Sequence, residues 1–477
     1  MTPTIGASRM ATLVGDFDRS PAYAGLAEAI RHLLTDGRLP VEARLPSERE
    51  LTAALAVSRT TVTRAYAALV EAGYAEAHRG SGTFTRVPGG RARTHDRALL
   101  PRAGDADAID LNCAAPVSPP GIQQAYEAAV ADLPAYLSGH GYYPAGLPRL
   151  QQAIAATYDA RGLPTDPDQV MVTAGALSAA SIVSAAFTAP GQRVLVETPV
   201  YPNATESLRH HGARLVGNPV DPDGWDLAVV AAGLRQHAPT LAYLIPDFQN
   251  PTGHLMPDEQ REEYAHHLRR ARTVALVDEA HQALPLEGQG MPRPFASYAA
   301  DTITLGSASK PYWGGLRLGW IRAPHRMMDR LTRARISLDL GAPVLEQLVL
   351  AHLLEGGSDV LEHHRARLRE QRDVLAAAIS ARLPEWRFRL PGGGLALWCE
   401  LPADRAVELV TEAERRGVIV APGPVFAVEG GLNRYVRVPW TRSVAELELA
   451  VDRLAEAWAA VSQGRVSVPS RSRVMVA

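Results

Sequence analysis

The larger part of this chain of 477 residues alternates short apolar runs with helical segments, and this alternation constrains the fold more than any other feature. Helical patterns such as Ser178–Phe187 and Asp258–Ala271 lie between many of the runs. Parallel strands need a long crossover, which is usually a helix. The pattern therefore predicts an α/β fold with a mostly parallel sheet and helices on both faces. The predicted strands are 169–173, 193–197, 213–216, 241–246, 274–278, 302–306 and 318–321.

Residues 15–86 have a different pattern, three helical segments followed by two short strands. Ser47 and Glu50 form a capping box before the second helix, and Ser58 is a suitable N-cap for the third. A glycine-containing turn at 79–82 joins the two strands. Three helices and a hairpin, with a short turn between the second and third helices, predict a winged helix-turn-helix that binds double-stranded DNA.

These patterns divide the chain into four parts. They are a DNA-binding domain at 15–86, a linker without periodicity at 87–108, a body at 109–462 and a loose tail at 463–477. Within the body, helices dominate from about Ser337, and a smaller α+β subdomain begins near Trp386. Residues 1–95 carry twelve Arg and nine Asp or Glu, whereas the whole chain has a net charge of -2. A contact with nucleic acid is therefore expected in the first domain only.

The composition also excludes several classes of protein. The two cysteines, Cys113 and Cys399, are far apart, so neither a disulfide framework nor a zinc site is predicted, and a reducing compartment, the cytoplasm, is favoured. The chain begins without a signal-peptide pattern, and its longest stretch of small apolar residues is interrupted by serines and a threonine, so no membrane span is predicted. Metal binding is not predicted either. The adjacent histidine pairs are interpreted as surface residues; they are 210–211, 266–267 and 363–364.

Lysine occurs only once, at Lys310, whereas arginine occurs 48 times. A lysine amine loses its proton far more readily than a guanidinium and can then form an imine with an aldehyde. A general bias toward arginine explains the 48 arginines. It does not explain why the single lysine lies in a serine- and glycine-rich turn directly after a predicted strand. Lys310 is therefore a candidate for imine chemistry.

The ends of the predicted strands supply the other groups that one cofactor needs. A carboxylate keeps a pyridine nitrogen protonated, an amide donates to a phenolate oxygen, and an aromatic ring stacks on the heterocycle. A small-residue turn that opens a helix, with serines and an arginine, binds a phosphate. That cofactor is pyridoxal 5′-phosphate. The residues in these positions are Gly175, Ala176, Tyr201, Asn250, Asp278, Ser307, Ser309 and Arg317.

At this point the sequence resembles known families over nearly its whole length. Residues from about 110 to 460 look like a fold-type I aminotransferase, and residues 20–86 look like the DNA-binding domain of the GntR regulators. Joined in this order, the two parts resemble the MocR subfamily of GntR transcription factors. The strongest matches are the segments 45–49, 57–62, 80–84, 250–253, 309–310 and 315–319.

The resemblance implies a role for each matching residue of the body. Lys310 would hold the cofactor covalently, Asp278 would pair with the ring nitrogen, Asn250 would bond the ring oxygen and Tyr201 would stack on the ring. Arg437 matches the arginine that binds the carboxylate of an amino acid. The residues that would surround the phosphate are Gly175, Ala176, Ser307, Ser309 and Arg317.

The chain departs from the family at two tyrosine positions. Family members usually have a tyrosine just after the ring-nitrogen aspartate, and here His281 is expected to donate to the ring oxygen instead. The tyrosine that a partner subunit donates to the phosphate has only displaced candidates, Tyr142 and Tyr143. These differences affect the prediction of catalytic turnover more than that of cofactor binding.

The DNA-binding domain has its own candidate residues, which lie mainly on the third helix. Arginine can bind guanine edges or phosphates, and threonine hydroxyls reach phosphates. A solvated helix face is the alternative for any one of these residues. The positions predicted to face DNA are Arg49, Ser58, Arg59, Thr60, Thr61, Arg64 and Gly82.

The sequence thus favours a homodimeric transcriptional regulator that binds pyridoxal phosphate and senses the cofactor, an amino acid or another amine. Two alternatives remain open. One is a working aminotransferase with an accessory DNA-binding head, and the other is a regulator whose body has lost the cofactor. Lys310 together with Asp278 and Arg317 argues against the second alternative.

Overall fold

A computed structural model of the chain forms two compact units. The first comprises the described residues up to Arg86 together with 118–127, and the second comprises 108–117 and the residues from 128 onward. The predicted linker, apart from Ala108, and residues 465–477 of the predicted tail lie outside the described residues. The described ranges are 4–35, 39, 43–78, 80–86, 108–357 and 359–464.

The first unit contains the predicted three helices and hairpin, together with a short N-terminal helix that the sequence pattern did not indicate. Glu50 N donates to Ser47 Oγ, and Ser47 N donates to Glu50 Oε2, which confirms the capping box. Leu26, Ile30 and Val62 are fully buried in its core. Its elements are α1 (Ala7–Val14), α2 (Ala22–Thr35), α3 (Glu48–Leu55), α4 (Arg59–Glu71), β1 (Ala75–His78) and β2 (Gly82–Thr85), the last two paired antiparallel.

The seven strands predicted in the second unit are all present, and their ends agree within two residues except at one end. The third predicted strand is longer than expected and continues to Asp221. The strands of this unit are β3 (Ile109–Asp110), β4 (Val170–Thr173), β5 (Arg193–Thr198), β6 (Arg214–Asp221), β7 (Gly224–Trp225), β8 (Leu241–Leu244), β9 (Val274–Asp278), β10 (Thr302–Ser307), β11 (Gly319–Arg322), β12 (Ala396–Glu400), β13 (Val418–Ile419), β14 (Ala421–Pro422) and β15 (Tyr435–Pro439).

Eight of these strands form one mixed, mainly parallel sheet in the order β4-β11-β10-β9-β8-β5-β6-β7. β5, β6, β8, β9 and β10 run parallel to one another, while β11 is antiparallel to both of its neighbours. β4 consequently runs in the same direction as the parallel strands. The carboxyl ends of β4, β5, β8, β9 and β10 therefore lie along one edge of the sheet, which is where ligands bind in open α/β sheets.

The helices of the second unit bury apolar residues against this sheet and in a separate core. Helix α10 has the predicted bounds, and α7 begins two residues earlier than predicted. The helices are α5 (Ile122–Asp132), α6 (Pro148–Ala160), α7 (Ala176–Phe187), α8 (Pro202–His210), α9 (Leu227–His237), α10 (Asp258–Ala271), α11 (His325–Ile336), α12 (Val344–Glu355), α13 (Asp359–Arg382), α14 (Ala406–Arg415) and α15 (Val444–Ser462), α5 being shared between the two units.

The predicted C-terminal α+β subdomain consists of α13, α14 and α15 with a three-stranded sheet in the order β12-β15-β14. Its core includes Trp440 and Leu454, which are fully buried. The short strand β3 pairs in parallel with β13 and so attaches residues 109–110 to the subdomain. None of the helices in the described part of the chain is long and apolar enough to cross a membrane.

Candidate functional site

A cavity of about 500 Å³ lies at the carboxyl edge of the large sheet. All ten residues predicted to bind the cofactor line it, although they come from five different strand ends. Residues that the sequence did not single out complete its wall, among them Cys113, Ala115 and Asn203. The ten predicted residues are Gly175, Ala176, Tyr201, Asn250, Asp278, His281, Ser307, Ser309, Lys310 and Arg317.

Lys310 follows β10 and is partly buried in the cavity wall. Its Nζ donates to the carbonyl oxygen of Ala114 at 3.0 Å. Burial lowers the pKa of the amine, since water that would stabilise the ammonium is excluded. A lowered pKa increases the neutral fraction, which is the form that attacks a carbonyl.

Asp278, at the end of β9, is buried and accepts two hydrogen bonds from neutral donors. Tyr243 Oη donates to its Oδ2 at 2.7 Å, and Ala280 N donates to its Oδ1 at 2.9 Å. Burial raises the pKa of this carboxyl group despite those bonds. A cationic N–H in the cavity would stabilise the charged form, so the environment of Asp278 fits a protonated pyridine nitrogen.

Asn250, in the loop after β8, is oriented by Arg437. Arg437 Nη1 donates to Asn250 Oδ1 at 3.2 Å, which leaves the amide N–H₂ of Asn250 as the group available to donate into the cavity. Arg437 lies on β15, is fully buried and also donates from Nη2 to the carbonyl oxygen of Asn112 at 2.7 Å. Burial lowers its pKa to about 10, so it stays cationic at neutral pH.

One end of the cavity has the features of a phosphate site. Gly175 caps α7 with φ +94°, and a β-carbon at this position would lie 3.0 Å from Arg317 Nη2. The same Nη2 donates to the carbonyl oxygen of Ala174 at 3.3 Å, and Ser309 N donates to Ser307 Oγ at 3.2 Å. A helix N-terminus, a guanidinium and hydroxyl groups together favour a doubly charged anion.

The two ring-bearing residues of the cavity differ in how well they match their predicted roles. Tyr201 precedes α8, and its Oη accepts from Asn203 Nδ2 at 2.9 Å, which fixes the ring. His281 Nδ1 lies 3.0 Å from the carbonyl oxygen of Phe248 and must donate to it, so Nε2 of the neutral ring can only accept. Burial lowers the pKa of His281 to about 4, which keeps it neutral at pH 7. The donor role predicted for His281 is therefore wrong, and Asn250 remains the donor to a ring oxygen.

Several supporting residues were missed from the sequence. Tyr243 lies within β8, where a hydroxyl in an otherwise apolar strand was the available signal. Arg261 Nη2 binds Asp247 Oδ1 at 2.7 Å, with both side chains fully buried, and this pair supports the loop that carries Asn250.

His364, expected at the surface, is completely buried, and its Nε2 lies 3.0 Å from the carbonyl oxygen of Lys310. Tyr142 and Tyr143 do not line the cavity.

The residues predicted to bind DNA lie around α4 and the hairpin of the first unit. Ser58 caps α4 and shares a 2.8 Å hydrogen bond with the hydroxyl of Thr61, so these two side chains serve the helix end. Arg64 is exposed, but its guanidinium carbon lies 3.7 Å from the centre of the Tyr23 ring. The others reach solvent more freely: Arg49, Arg59, Thr60 and Gly82 are exposed.

No group of three or more His, Cys, Asp or Glu residues in the described ranges could hold a metal ion. Cys113 and Cys399 are both free thiols.

Comparison with known proteins identifies both units. Residues 22–85 match the model of the bacterial regulatory proteins of the gntR family, and residues 128–454 match the model of aminotransferase class I and II. The HTH-type transcriptional regulator YisV of Bacillus subtilis is 26% identical over 470 residues, covering 91% of this chain and 96% of that protein. A probable rhizopine catabolism regulatory protein, MocR of Rhizobium meliloti, is 27% identical over 401 residues. The alignment covers 77% of this chain and 78% of that protein.

The second unit also resembles solved aminotransferase structures. The α-aminoadipate aminotransferase LysN of Thermus thermophilus, crystallised with N-(5′-phosphopyridoxyl)-L-leucine, aligns with a TM-score of 0.70 and 28% identity, over 77% of this chain and 97% of that one. Because a gntR-family domain precedes an aminotransferase class I and II domain, and because the similarity to YisV extends over nearly the whole of both chains, the chain belongs to the MocR-like, HTH-type transcriptional regulators of the GntR family.

Proposed function

We propose that this regulator binds pyridoxal 5′-phosphate through Lys310 and changes its hold on DNA when the cofactor, or an amino compound that reacts with it, occupies the cavity. One observation carries the proposal. A single cavity joins a partly buried amine, a buried carboxylate, an oriented amide, an aromatic ring and an anion site; the residues are Lys310, Asp278, Asn250, Tyr201 and Arg317.

Different residues of the cavity would bind different parts of the cofactor. Ser307, Ser309, Arg317 and the start of α7 would hold the phosphate, and Asp278 would hold the ring nitrogen in its protonated form. When bound, pyridoxal phosphate supplies an aldehyde for an amine and a ring that withdraws electrons. Without the cofactor, the Lys310 amine donates to the carbonyl oxygen of Ala114.

Arg437 indicates the class of effector. A guanidinium can bind a carboxylate through two parallel hydrogen bonds, and Arg437 lies beside Asn250, which itself lines the cavity. An amino acid would place its amine near Lys310 and its carboxylate near Arg437. An amine without a carboxylate would lose the second contact, so we expect amino acids to act at lower concentration than simple amines.

The first unit would carry the response to double-stranded DNA. The exposed side chains of Arg49, Arg59 and Thr60 suit phosphate and base contacts. We further propose that the regulator acts as a homodimer in the cytoplasm, since two DNA-binding heads would match a two-part operator.

Absorbance and DNA binding measured on one preparation test the proposal. The purified full-length protein should show a visible band with pyridoxal phosphate, and borohydride should fix the cofactor on Lys310. The band and the adduct should both be lost in Lys310→Ala. Retardation of DNA from upstream of its own gene should change with the cofactor or an added amino acid. A protein that shows the band yet does not bind that DNA, while it converts amino acids to keto acids, would contradict the regulator proposal.

Catalysis remains a second candidate function, and the amine and the carboxylate of the cavity favour it. Lys310 and Asp278 line the cavity, Arg437 lies behind its Asn250, and the related LysN is an α-aminoadipate aminotransferase. Single-turnover mixing with an amino acid decides this point. Loss of the visible band with formation of one equivalent of keto acid would establish a half-reaction, while an unchanged amino acid would restrict the cavity to sensing.

A further inference from the structure

Residues 110–117, here called the strap, are held mainly through their own carbonyl oxygens. The strap lies in the second unit and forms part of the cavity wall through Cys113 and Ala115. In the described part of the chain, its carbonyl oxygens accept from Arg442 Nε at Asp110 (2.9 Å), Arg437 Nη2 at Asn112 (2.7 Å), Thr441 Oγ1 at Cys113 (3.2 Å), Lys310 Nζ at Ala114 (3.0 Å) and Arg367 Nη2 at Val117 (2.8 Å), which are the five donors considered below.

Two of the five donors are residues to which the proposed function gives another partner. Lys310 uses an N–H of its amine to hold Ala114. If that nitrogen forms a double bond to an aldehyde carbon, the aldehyde oxygen leaves as water with two amine hydrogens. At most one N–H then remains, and its direction is fixed by the new double bond. Arg437 would likewise divide its donors between Asn112 and a bound carboxylate.

A second path of hydrogen bonds connects Lys310 to the other end of the strap through α13. Arg367 Nη2 lies 3.0 Å from His364 Nδ1 and donates to Val117 O. Arginine is always protonated, so Nδ1 must accept, and Nε2 therefore carries the hydrogen that is donated to the main-chain carbonyl of Lys310 at 3.0 Å. Lys310, Ala114, Val117, Arg367 and His364 thus form a closed cyclic network in which His364 and Arg367 are positioning residues.

The strap is covalently connected at both of its ends to segments of the first unit, so the network links Lys310 to the connection between the units. Residues 87–107 connect the strap to the DNA-binding domain, and residues 118–127, which follow it, belong to the first compact unit. The strap consequently lies between two of the three points at which the chain passes from one unit to the other, and the third point lies within α5.

We propose that the cyclic network makes the strap report the state of Lys310: the strap is held while the amine is free and is released when the amine becomes covalently occupied. This inference rests on the proposed function, because it takes pyridoxal phosphate as the aldehyde. It adds that the signal leaves the cavity through residues 110–117, and that Arg367 sets its strength.

Amide hydrogen exchange, followed by mass spectrometry on the full-length protein, tests the release directly. The reporting peptide contains residues 111–115, and the absorbance band verifies cofactor loading in every sample that retains Lys310. In the wild type, loading should accelerate exchange in this peptide roughly tenfold, as expected when one hydrogen bond is lost. Lys310→Met should exchange at the faster rate without cofactor and should not respond to it.

The matched control uses two arginines on the same helix. Arg367 donates to the strap, whereas Arg365 Nε donates to the carbonyl oxygen of Ala283, which lies outside the strap. Arg367→Met should raise exchange in the cofactor-free protein and reduce the response to loading, while Arg365→Met should behave like the wild type.

The outcomes separate this inference from the proposed function. A loaded wild type, with its band present, whose strap exchanges no faster than the unloaded protein would overturn the inference and leave cofactor binding intact. Equal exchange in Arg367→Met and Arg365→Met would also overturn it. An absent band would contradict the proposed function instead, and the cofactor-free variants would still decide whether Lys310 and Arg367 hold the strap.

Discussion

The helix-turn-helix unit and the candidate cofactor cavity present their candidate functional side chains in opposite ways. The candidate DNA contacts on α4 are neighbours in sequence and reach solvent, as the 78% exposed side chain of Arg59 illustrates. The ten predicted cavity residues come from strand ends between Gly175 and Arg317, and Asp278 and His281 among them are buried. Substitution of the exposed residues in the first unit should therefore change DNA binding and leave the free energy of unfolding nearly unchanged. Substitution of the buried residues in the second unit should change both ligand binding and the free energy of unfolding.

The largest expected effect is on the buried ion pair beneath the cavity. Asp247→Asn removes the carboxylate that is hydrogen-bonded to the fully buried Arg261 guanidinium, which keeps the carbonyl oxygens of Met256, Arg293 and Pro246 as acceptors and Glu279 as a further charged neighbour. Breaking a buried ion pair by removal of one partner costs about 3–5 kcal/mol, so the free energy of unfolding of the second unit should fall by up to about that amount. Urea unfolding followed by circular dichroism measures it.

An exposed ion pair in the same unit provides the control for this substitution. Asp452 pairs with Arg382 at the surface, where both side chains are substantially exposed. Asp452→Asn should change the free energy of unfolding by less than about 1 kcal/mol. If the two substitutions had equal effects on the free energy of unfolding, burial would not explain the cost of losing Asp247.

The next effect concerns Asp278 and the affinity for the cofactor. Asp278→Asn removes the charge that would stabilise a protonated pyridine nitrogen, and a hydrogen bond to a charged group contributes about 1.5–3 kcal/mol. The dissociation constant for pyridoxal phosphate should rise about 10- to 150-fold in an absorbance titration. Tyr243→Phe, which removes one neutral donor to the same carboxylate, should have the smaller effect. Unchanged affinity in Asp278→Asn would mean that this carboxylate faces no cationic nitrogen.

The pH dependence of stability tests the burial of His364. Burial and the neighbouring Arg367 lower its pKa to about 4, whereas an unfolded histidine titrates near 6.5. The unfolded chain therefore binds more protons between these values, so the stability is fully present above about pH 6.5 and is lost as the pH falls toward 4. Between pH 7 and 5 the wild type should lose about 2 kcal/mol more than His364→Gln.

His363 on the same helix is exposed and serves as the control for this measurement. His363→Gln should retain the pH dependence of the wild type. His281 has a lowered pKa for the same physical reason, so some pH dependence should remain in His364→Gln. A variant His364→Gln that loses stability on acidification as fully as the wild type would contradict the assignment of His364 as a buried neutral ring.

The sequence could predict those features whose signal is local or periodic. The capping box at Ser47–Glu50 and the strand that ends at Asp278 are both confirmed because spacing and burial periodicity determine them. The residues of the cavity could be grouped because parallel strands end on one edge of a sheet. Their roles followed from the resemblance to a family and remain predictions.

Other features depend on contacts between distant segments and leave no trace in the local pattern. The carbonyl oxygens that the strap offers to Lys310 and Arg437 could belong to any residue, so no side-chain type marks them. His364 was expected at the surface because one helical position gives no information about what packs over it. The role of His281 changed because its tautomer is determined by the Phe248 carbonyl, which only the folded chain brings near.

The smallest effect on stability is expected in the first unit, where it should accompany a clear effect on DNA binding. The Nε of Arg59 lies 3.7 Å from Glu48 in an exposed pair, so Arg59→Gln should change the free energy of unfolding by less than about 1 kcal/mol. If Arg59 binds a phosphate, its loss should weaken binding to DNA from upstream of its own gene, and the logarithmic salt slope should fall by about 1. Fluorescence anisotropy at several salt concentrations measures both the affinity and the salt slope.

The control is Arg9 on α1, which is also exposed, and Arg9→Gln should leave the slope unchanged. Equal affinities and slopes in the two variants would show that the exposed face of α4 does not bind DNA, and the contrast between the units would then reduce to burial alone.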